Sequence, residues 1–389
     1  MKKITIGVLA SHLIALSIMN DAIILGDGAF FTWAKLLFLL SILLLIKGNL
    51  YVGKVKKADL FIIVFCLTSV VFSAAFSGGG IGIRFFSVAT AFLIGCASYF
   101  MISRTILKHD ELRKAFVFWV SISSLLSVFQ SLTGFGYVSD RVFLSTIIPG
   151  LYRASGLMSD PNYFALICLL GIALSLGEKT SKVQHGLCIL GLVLSGSRSG
   201  IVSYLAIVSL SRFKGKLGKG VFIKFIFVFF VFLFLAYFLR EYLPESISML
   251  FEIDSYFDES NRNSLSDRTL AISAGINAFI SNPIFGYGIG NLTSHPLNFH
   301  GQMSHNTIVE ILAENGVMGM FFYIVCNLYI LKTINFSTTL NNQEKKRYVI
   351  MLVVLHVMSF TIVIHYSRIL FFIFGLVALS ARYRNDERF

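Results

Sequence analysis

The chain has 389 residues, of which 56% are hydrophobic and only 14% are charged, and its mean hydropathy is +0.78. A soluble globular protein needs a larger polar and charged share to cover its surface, so this composition excludes that class. The 33 basic residues against 20 acidic ones give a net charge of +13. These basic residues lie in short loops without an aromatic stacking platform, which argues against a nucleic-acid partner.

Long apolar segments divide the chain into about twelve predicted transmembrane helices. Crossing roughly 30 Å of hydrocarbon takes about 20 helical residues, and lipid tolerates only helices or closed barrels. The segments are 4–25, 29–46, 59–76, 81–102, 115–133, 160–177, 183–195, 200–211, 221–239, 315–331, 348–366 and 368–381. We predict an all-α polytopic membrane protein with one domain over 1–389, whose first segment is a span and not a cleaved signal.

The basic residues sort by type across this topology. With the amino terminus in the cytoplasm, the inner loops carry the lysines, as the positive-inside rule requires, and the outer loops carry arginine without lysine. Lys35 and Lys224 fall within spans. The outer arginines are Arg84, Arg141, Arg153, Arg198, Arg240, Arg262, Arg268 and Arg368. Because a guanidinium grips phosphate oxygens in pairs, this pattern predicts a diphosphate site on the outer side.

Two segments, 183–195 and 200–211, are short for membrane spans and flank the run Ser195-Gly196-Ser197-Arg198-Ser199-Gly200. One broken span is the alternative, but it would reverse the charge pattern of every later loop. We predict two short helices that meet at a turn recessed from the outer surface. Backbone N–H groups, the Ser197 hydroxyl and the Arg198 guanidinium would bind an anion there. An arginine reaching the membrane interface is the alternative.

A long outer loop is predicted over 240–304, and loops of this length are usually lids or binding elements. It contains an amphipathic helix near 266–281, capped by Ser266 or Asp267. Arg268 then lies in the first turn, where a cation opposes the helix dipole. The position indicates a functional role for Arg268, with simple pairing to Asp267 as the alternative.

His305 precedes another predicted helix, with Ser304 as its N-cap and Gly316 as its stop. The helix dipole at an amino terminus favours a neutral imidazole, which can accept a proton from a hydroxyl. Asn306 and Glu310, spaced i and i+4, share a helix face and would orient a polar substrate. The alternative is a solvated loop histidine.

No cofactor or metal is expected. His295, His300 and His305 are five residues apart, which matches no usual zinc spacing. The five cysteines all lie in apolar runs and do not form a ligand cluster. The glycine-rich run 286–291 follows no βα unit, so it predicts a flexible connector and not a nucleotide loop.

The Ser195–Gly200 turn, Asp267-Arg268 in a long outer loop, and Ser304-His305-Asn306 followed by Glu310 and Gly316 resemble the O-antigen polymerase and ligase superfamily. The motifs lie within 150–330. The resemblance implies a C-type glycosyltransferase-like fold in the bacterial inner membrane, with a periplasmic active site. It also implies undecaprenyl-diphosphate-linked donor and acceptor glycans, metal-independent transfer and a chain-length regulator protein as a partner.

By this resemblance, Arg198 and Arg268 would hold the donor diphosphate and stabilise it as a leaving group. His305 would contact the acceptor hydroxyl as a base or orienting group. Arg153, Asp160 and Asn162 would line the acceptor or sugar side, and the block that contains them favours the polymerase branch.

The predicted function is therefore a surface-polysaccharide polymerase that transfers a growing lipid-linked glycan onto the next lipid-linked repeat unit. An O-antigen ligase acting on lipid A-core is the alternative enzyme. A lipid-linked oligosaccharide flippase is the alternative from another class. A flippase would have ionisable residues along many spans at mid-membrane depth, whereas here the polar groups gather on one side.

Overall fold

The computed structural model describes residues 2–19, 33–48, 57–76, 81–105, 107–135, 144–145, 148–176, 182–212, 264–298 and 301–382. This part of the chain is all-helical apart from turns, a 3-10 segment at Leu292–Ser294 and one isolated bridge. The helices are α1 (Lys2–Met19), α2 (Trp33–Lys47), α3 (Lys57–Phe76), α4 (Ile83–Ser103), α5 (His109–Thr133), α6 (Pro161–Ser175), α7 (Lys182–Leu194), α8 (Arg198–Arg212), α9 (Ser264–Ser281), α10 (Thr307–Phe336), α11 (Asn342–Met358) and α12 (Arg368–Ser380).

Four of these helices are long and apolar enough to cross a membrane, and they support a multi-pass membrane protein. The qualifying stretches are Asp59–Phe76, Arg84–Ser103, His109–Thr133 and Thr307–Phe336. Shorter apolar helices are Ile6–Met19, Pro161–Ser175, Lys182–Leu194 and Arg368–Ser380. The predicted span at 221–239 and the parts 240–263 and 299–300 of the predicted loop lie outside the described residues, as do Arg141, Lys224, Arg240, Arg262 and His300. The figure of about twelve spans stays a prediction.

The core forms where the apolar helices pack side by side. Helix α12 packs along α4, α1 packs against α2 and α5, and α7 packs against α5 and α6. Helix α8 lies against α11, and α10 contacts α3 and α9. Helix α6 is enclosed on all sides, with every residue from Phe164 to Ser175 buried. The polar turns between helices are therefore left at the ends of the bundle.

Hydrogen bonds distinguish the two ends of the bundle. At one end, the guanidinium of Arg347 donates to the carbonyl of Leu176, 2.8 Å away, and the Lys346 amine donates to the carbonyl of Ser211. These cations bind carbonyls at helix carboxyl termini, where the helix dipole favours positive charge. At the other end, Thr361 donates to the Ser199 hydroxyl across 3.0 Å. This second end holds the amino termini of α6 and α8.

Gly316 interrupts α10 at the position predicted as a helix stop, and a second helical stretch follows it directly. The helix continues to Phe336 across a kink, where Gly316 has φ 63° and ψ −162°. The kink frees backbone groups, and the segment before the 3-10 turn satisfies them. The N–H of Tyr287 donates to the carbonyl of Ala313 at 2.7 Å, and the N–H of Val317 donates to that of Pro283 at 2.9 Å.

The glycine-rich run 286–291 is therefore a packed element, and the prediction of a flexible connector is wrong. Most of this run is buried. A Cβ on Gly286 would lie 2.3 Å from the backbone carbon of Glu314, and a Cβ on Gly316 would lie 2.4 Å from the carbonyl oxygen of Ile284. Both positions need glycine because two backbone segments touch there. The spacing of the glycines in the sequence does not reveal this contact.

Three predicted helix boundaries are also wrong. Asn306, not Ser304, caps α10: its side-chain oxygen accepts from the N–H groups of Ile308 and Val309. Helix α9 begins at Ser264, ahead of the predicted cap. Helix α11 ends at Met358, eight residues before the predicted end of its span at 366. Residues 359–367 instead form turns that return to the end of the bundle where α8 begins.

Candidate functional site

The Arg198 turn joins two short helices, as predicted. Helix α7 ends at Leu194 and α8 begins at Arg198. The hydroxyl of Ser197 is 1% exposed and donates to the side-chain oxygen of Asn162 at 3.0 Å. The same hydroxyl accepts from the N–H of Gly200 at 3.2 Å, so it caps α8 from within the turn. Ser197 thus anchors the turn, and Arg198 stands beside it, half-buried.

Arg153 is tied to this turn from a separate segment. Its Nε donates to the carbonyl of Ser195 at 3.1 Å, and its Nη2 donates to the side-chain oxygen of Asn162 at 3.2 Å. Asp160 caps the start of α6 by accepting from the N–H of Asn162 at 2.7 Å, with Pro161 at the first helical position. The block predicted from the sequence therefore assembles against the Ser195–Gly200 turn.

Helix α9 delivers Arg268 to the same region. Its small residues allow close contact with α10: a Cβ on Gly275 would lie 2.5 Å from a methyl carbon of Val309. Ala274 and Ala278 pack with Ala313 of α10 and Leu292 of the 3-10 turn in a small apolar cluster. This packing holds α9 along the first half of α10, with Arg268 near the start of both helices.

Electrostatic effects show that these charged groups converge. Burial lowers the pKa of Arg153, Asp160 opposes this effect, and the nearby Arg268 and Arg198 lower the pKa further. Burial likewise lowers the pKa of Arg268, which Asp160 raises and Arg198 lowers. Such mutual effects require the groups to lie at close range. Three guanidinium groups with one carboxylate among them leave an excess of positive charge that suits a phosphate or diphosphate.

His305 borders this cluster in an unusual conformation. Its φ of 52° makes it the one non-glycine residue with positive φ among the described residues. Residues held in the left-handed region cost free energy and often mark functional sites. Burial lowers the pKa of His305, Arg268 lowers it further, and Asp160 opposes them. The imidazole is therefore held neutral, the form that can accept a proton.

Glu310 and Asn306 hold the turn that carries His305. The Oε2 atom of Glu310, itself 1% exposed, accepts from the Ser304 N–H at 2.8 Å and from the Ser304 hydroxyl at 2.6 Å. The side-chain oxygen of Asn306 is used in capping α10. Both side chains therefore contact protein groups on either side of His305 and do not point jointly into open space.

Several site residues were missed from the sequence. Gln130, 3% exposed in α5, donates to the carbonyl of Gly156 at 3.0 Å and accepts from its N–H at 2.7 Å. It thereby fixes the loop before Asp160. Tyr163 donates to the carbonyl of Val363. A glutamine inside an apolar helix is a detectable signal, because buried polar groups in spans usually have specific partners. Tyr163 carries no such signal.

A metal or cofactor site is not evident in the described part of the chain. No group of three or more His, Cys, Asp or Glu residues is assembled there to hold an ion. His295 instead packs its ring edge-on against Tyr287, with centroids 4.7 Å apart. The positive charge at the candidate site comes from arginine.

The comparisons with known proteins give one family. The model of the O-antigen ligase family matches residues 186–324, which contain Arg198, Arg268 and His305. A comparison with curated proteins found no match. The family describes glycosyltransferase-like enzymes of surface-polysaccharide assembly, which act on lipid-linked glycans. The match covers about a third of the chain, over the segments that form the candidate site, and in this part the chain is similar to the O-antigen ligase family.

Proposed function

We propose that the chain is a surface-polysaccharide polymerase of the bacterial inner membrane with a periplasmic active site. It would transfer a growing glycan from undecaprenyl diphosphate onto the next lipid-linked repeat unit. The observation that carries this proposal is the convergence of Arg153, Arg198 and Arg268 beside His305. Guanidinium groups match the donor's diphosphate, and the neutral imidazole matches an acceptor hydroxyl.

The chemistry assigns each group a distinct task. The acceptor hydroxyl oxygen forms a bond to the anomeric carbon of the donor glycan while the bond from that carbon to the diphosphate oxygen breaks. His305 takes the hydroxyl proton as the new bond forms. Arg198 and Arg268 stabilise the negative charge that develops on the departing undecaprenyl diphosphate. One fixed donor at such a charge is worth on the order of 3 kcal/mol, about a hundredfold in rate.

The remaining site residues would act around these three. Arg153 adds a further guanidinium at the diphosphate, held in place by Asn162 and the carbonyl of Ser195. Asp160 limits the repulsion between the arginines through its carboxylate. Glu310 acts as a positioning residue through its hydrogen bonds to Ser304. Ser197 and Asn306 position backbone turns at the amino termini of α8 and α10.

The test replaces Arg198 by lysine, which keeps the charge but loses the planar fork. We expect Arg198→Lys to lower the transfer rate on purified lipid-linked repeat unit by more than tenfold, with unchanged membrane insertion. Arg212→Lys is the matched control, because Arg212 is exposed at the opposite end of the same helix. Full activity in Arg198→Lys would refute the role of the arginines in diphosphate binding.

A ligase that moves the glycan to lipid A-core is the second candidate, because the matching family model carries the ligase description. The two enzymes leave different products in a deletion strain. Loss of a polymerase leaves one repeat unit on core lipid, whereas loss of a ligase removes all surface attachment. We expect the single repeat unit to accumulate.

A further inference from the structure

The turn at 359–364, which follows α11, holds the start of α10 through Thr307. The Thr307 hydroxyl donates to the carbonyl of Ile362 at 2.7 Å and accepts from the N–H of Ile364 at 3.0 Å. Thr307 is completely buried and lies two residues after His305 in the chain. The backbone of the 359–364 turn and the backbone that carries His305 are therefore fixed to each other.

A chain of hydroxyl groups joins the same turn to the arginine cluster. The Thr361 hydroxyl donates to the Ser199 hydroxyl at 3.0 Å, and the Ser199 and Ser197 hydroxyls lie 3.2 Å apart. Ser197 gives its own proton to the side-chain oxygen of Asn162, so Ser199 is the donor to Ser197. The same oxygen of Asn162 accepts from Arg153 at 3.2 Å. Thr361 is thus connected to Arg153 through three side chains.

The bonds that hold the arginine cluster together do not involve Thr361. Arg153 donates to the carbonyl of Ser195 at 3.1 Å as well as to Asn162. Thr361 instead attaches the cluster to the turn that fixes His305. Because the acceptor oxygen and the anomeric carbon of the donor must be closely aligned for transfer, displacing one side of the site relative to the other slows the reaction.

We propose that Thr361 is a positioning residue that sets the separation between His305 and the arginine cluster. The inference rests on the proposed transfer function, in which these groups act on opposite sides of the bond that forms and breaks. Thr361 acts through Ser199 on the arginine side and through the 359–364 turn and Thr307 on the histidine side. Its hydroxyl needs no contact with either lipid-linked substrate. Loss of the hydroxyl should therefore slow turnover and leave donor affinity unchanged.

The test compares Thr361→Val with Thr361→Ser in the purified full chain. Valine keeps the shape of threonine without the hydroxyl, whereas serine keeps the hydroxyl. We expect Thr361→Val to lower the turnover rate on purified lipid-linked repeat unit about fivefold, the equivalent of one hydrogen bond. Thr361→Ser should recover the rate, and calorimetry with farnesyl diphosphate should give the wild-type affinity in both variants. The Tyr163 hydroxyl also donates to the carbonyl of Val363, so the turn stays attached and Thr361→Val should fold.

A second variant removes the same contact from its other side. The Thr361 hydroxyl also lies 3.1 Å from the carbonyl of Met358, and Ser199→Ala leaves that bond in place. Thr361→Val/Ser199→Ala should be no slower than Ser199→Ala, because both changes remove one shared hydrogen bond. Thr333→Val is the matched control, because the Thr333 hydroxyl donates to the carbonyl of Tyr329 within its own helix at 3.0 Å.

The outcomes separate the inference from the proposed function. Full turnover in Thr361→Val, multiplied losses in the double variant, or an equal loss in Thr333→Val would overturn the role of Thr361 alone. The same holds if farnesyl diphosphate affinity falls in parallel with the rate, because Thr361 would then act on the diphosphate site itself. Failure of Thr361→Ser to recover the rate would assign the effect to packing and not to the hydroxyl. A wild-type chain that binds no farnesyl diphosphate and transfers no glycan would overturn the proposed function, and the inference with it.

Discussion

The backbone of His305 lies in a conformation that a non-glycine residue adopts only when its surroundings impose it. Placing an L-residue in the left-handed region costs about 1–2 kcal/mol. Glu310 supplies a comparable amount through two hydrogen bonds to Ser304, the preceding residue, at 2.8 and 2.6 Å. The cost of the His305 backbone conformation and the free energy of the Glu310 hydrogen bonds are of the same size. The orientation of the imidazole therefore depends on Glu310, a residue that need not touch the substrate.

Glu310→Ala should therefore release the turn. We expect the turnover rate to fall roughly tenfold or more, because two hydrogen bonds are worth about 2 kcal/mol. Donor binding should stay unchanged, since the arginines are not held by Glu310. Glu310→Gln keeps a carbonyl acceptor and should recover much of the rate. Steady-state kinetics measures the turnover rate, and calorimetry measures donor binding separately. Loss of donor binding in Glu310→Ala would contradict the positioning role.

The pH dependence of transfer should report His305. Burial and Arg268 lower its pKa below the ordinary value of 6.5, and Asp160 opposes them. The active neutral form should therefore persist below about pH 6.5 and be lost as the pH falls through the depressed pKa. The folded chain also binds a proton at His305 less readily than the unfolded chain does. The free energy of unfolding therefore declines as the pH falls below about 6.5. Asp160→Asn should move the acid limb of the rate profile to lower pH, and an upward shift would contradict this assignment.

At the scale of elements, the first half of α10 and the 283–288 segment form one unit. The kink at Gly316 leaves backbone groups that the segment satisfies, while α9 packs against the same half-helix through Ala274, Gly275 and Ala278. His305 stands at the start of α10 and Arg268 at the start of α9. A disturbance at the kink should therefore reach both side chains, although it lies well inside the helix.

Gly316→Ala tests this dependence. The new Cβ would lie 2.4 Å from the carbonyl oxygen of Ile284 at a φ of 63°. We therefore expect the free energy of unfolding to fall by at least about 2 kcal/mol and the transfer rate to fall with it. Gly186→Ala is the matched control, because Gly186 lies in α7 with no neighbour within 4 Å. It should leave stability unchanged or raise it by up to about 1 kcal/mol. Thermal unfolding of the purified Gly316→Ala and Gly186→Ala variants measures these changes in stability. Equal midpoints would contradict a special requirement for glycine at the kink.

At the scale of the whole molecule, the two ends of the bundle carry charged groups in different settings. One end holds Lys346 and Arg347 on helix carboxyl termini. The other gathers Arg153, Arg198 and Arg268 around a buried turn. Lysine is strongly hydrated and suits a solvated rim, whereas the guanidinium fork suits a phosphate in a drier site. Under the proposed orientation, the asymmetry of residue type along the sequence becomes an asymmetry of chemistry across the membrane.

Cysteine labelling checks the orientation of the two ends. Ser159 is exposed beside the arginine cluster, and Gln343 is exposed at the opposite end, next to the start of α11. A membrane-impermeant maleimide should label Ser159→Cys in intact spheroplasts and Gln343→Cys only after permeabilisation. The native cysteines are buried except Cys96, which is half-buried, so background labelling should be low. The reverse pattern would place the candidate site in the cytoplasm.

The class of the protein and the parts of its site follow from local sequence properties. Apolar segment length and the distribution of lysine predict a helical membrane protein with a polar end, because hydrophobicity and charge act on each segment separately. The glycine and serine run around Arg198 predicts a turn between two short helices, and α7 and α8 confirm it. Arg268 on a loop helix and His305 at a helix start are identified in the same way.

Only the tertiary structure decides which of these segments meet. The electrostatic interactions among Arg153, Arg198, Arg268 and His305 join segments more than a hundred residues apart, and helix packing, not any local pattern, brings these segments together. For the same reason the sequence predicts the break in α10 at Gly316 but not the segment that packs against it. A glycine at a kink and a glycine at a helix end share the same backbone preference, and only the approach of Ile284 distinguishes them.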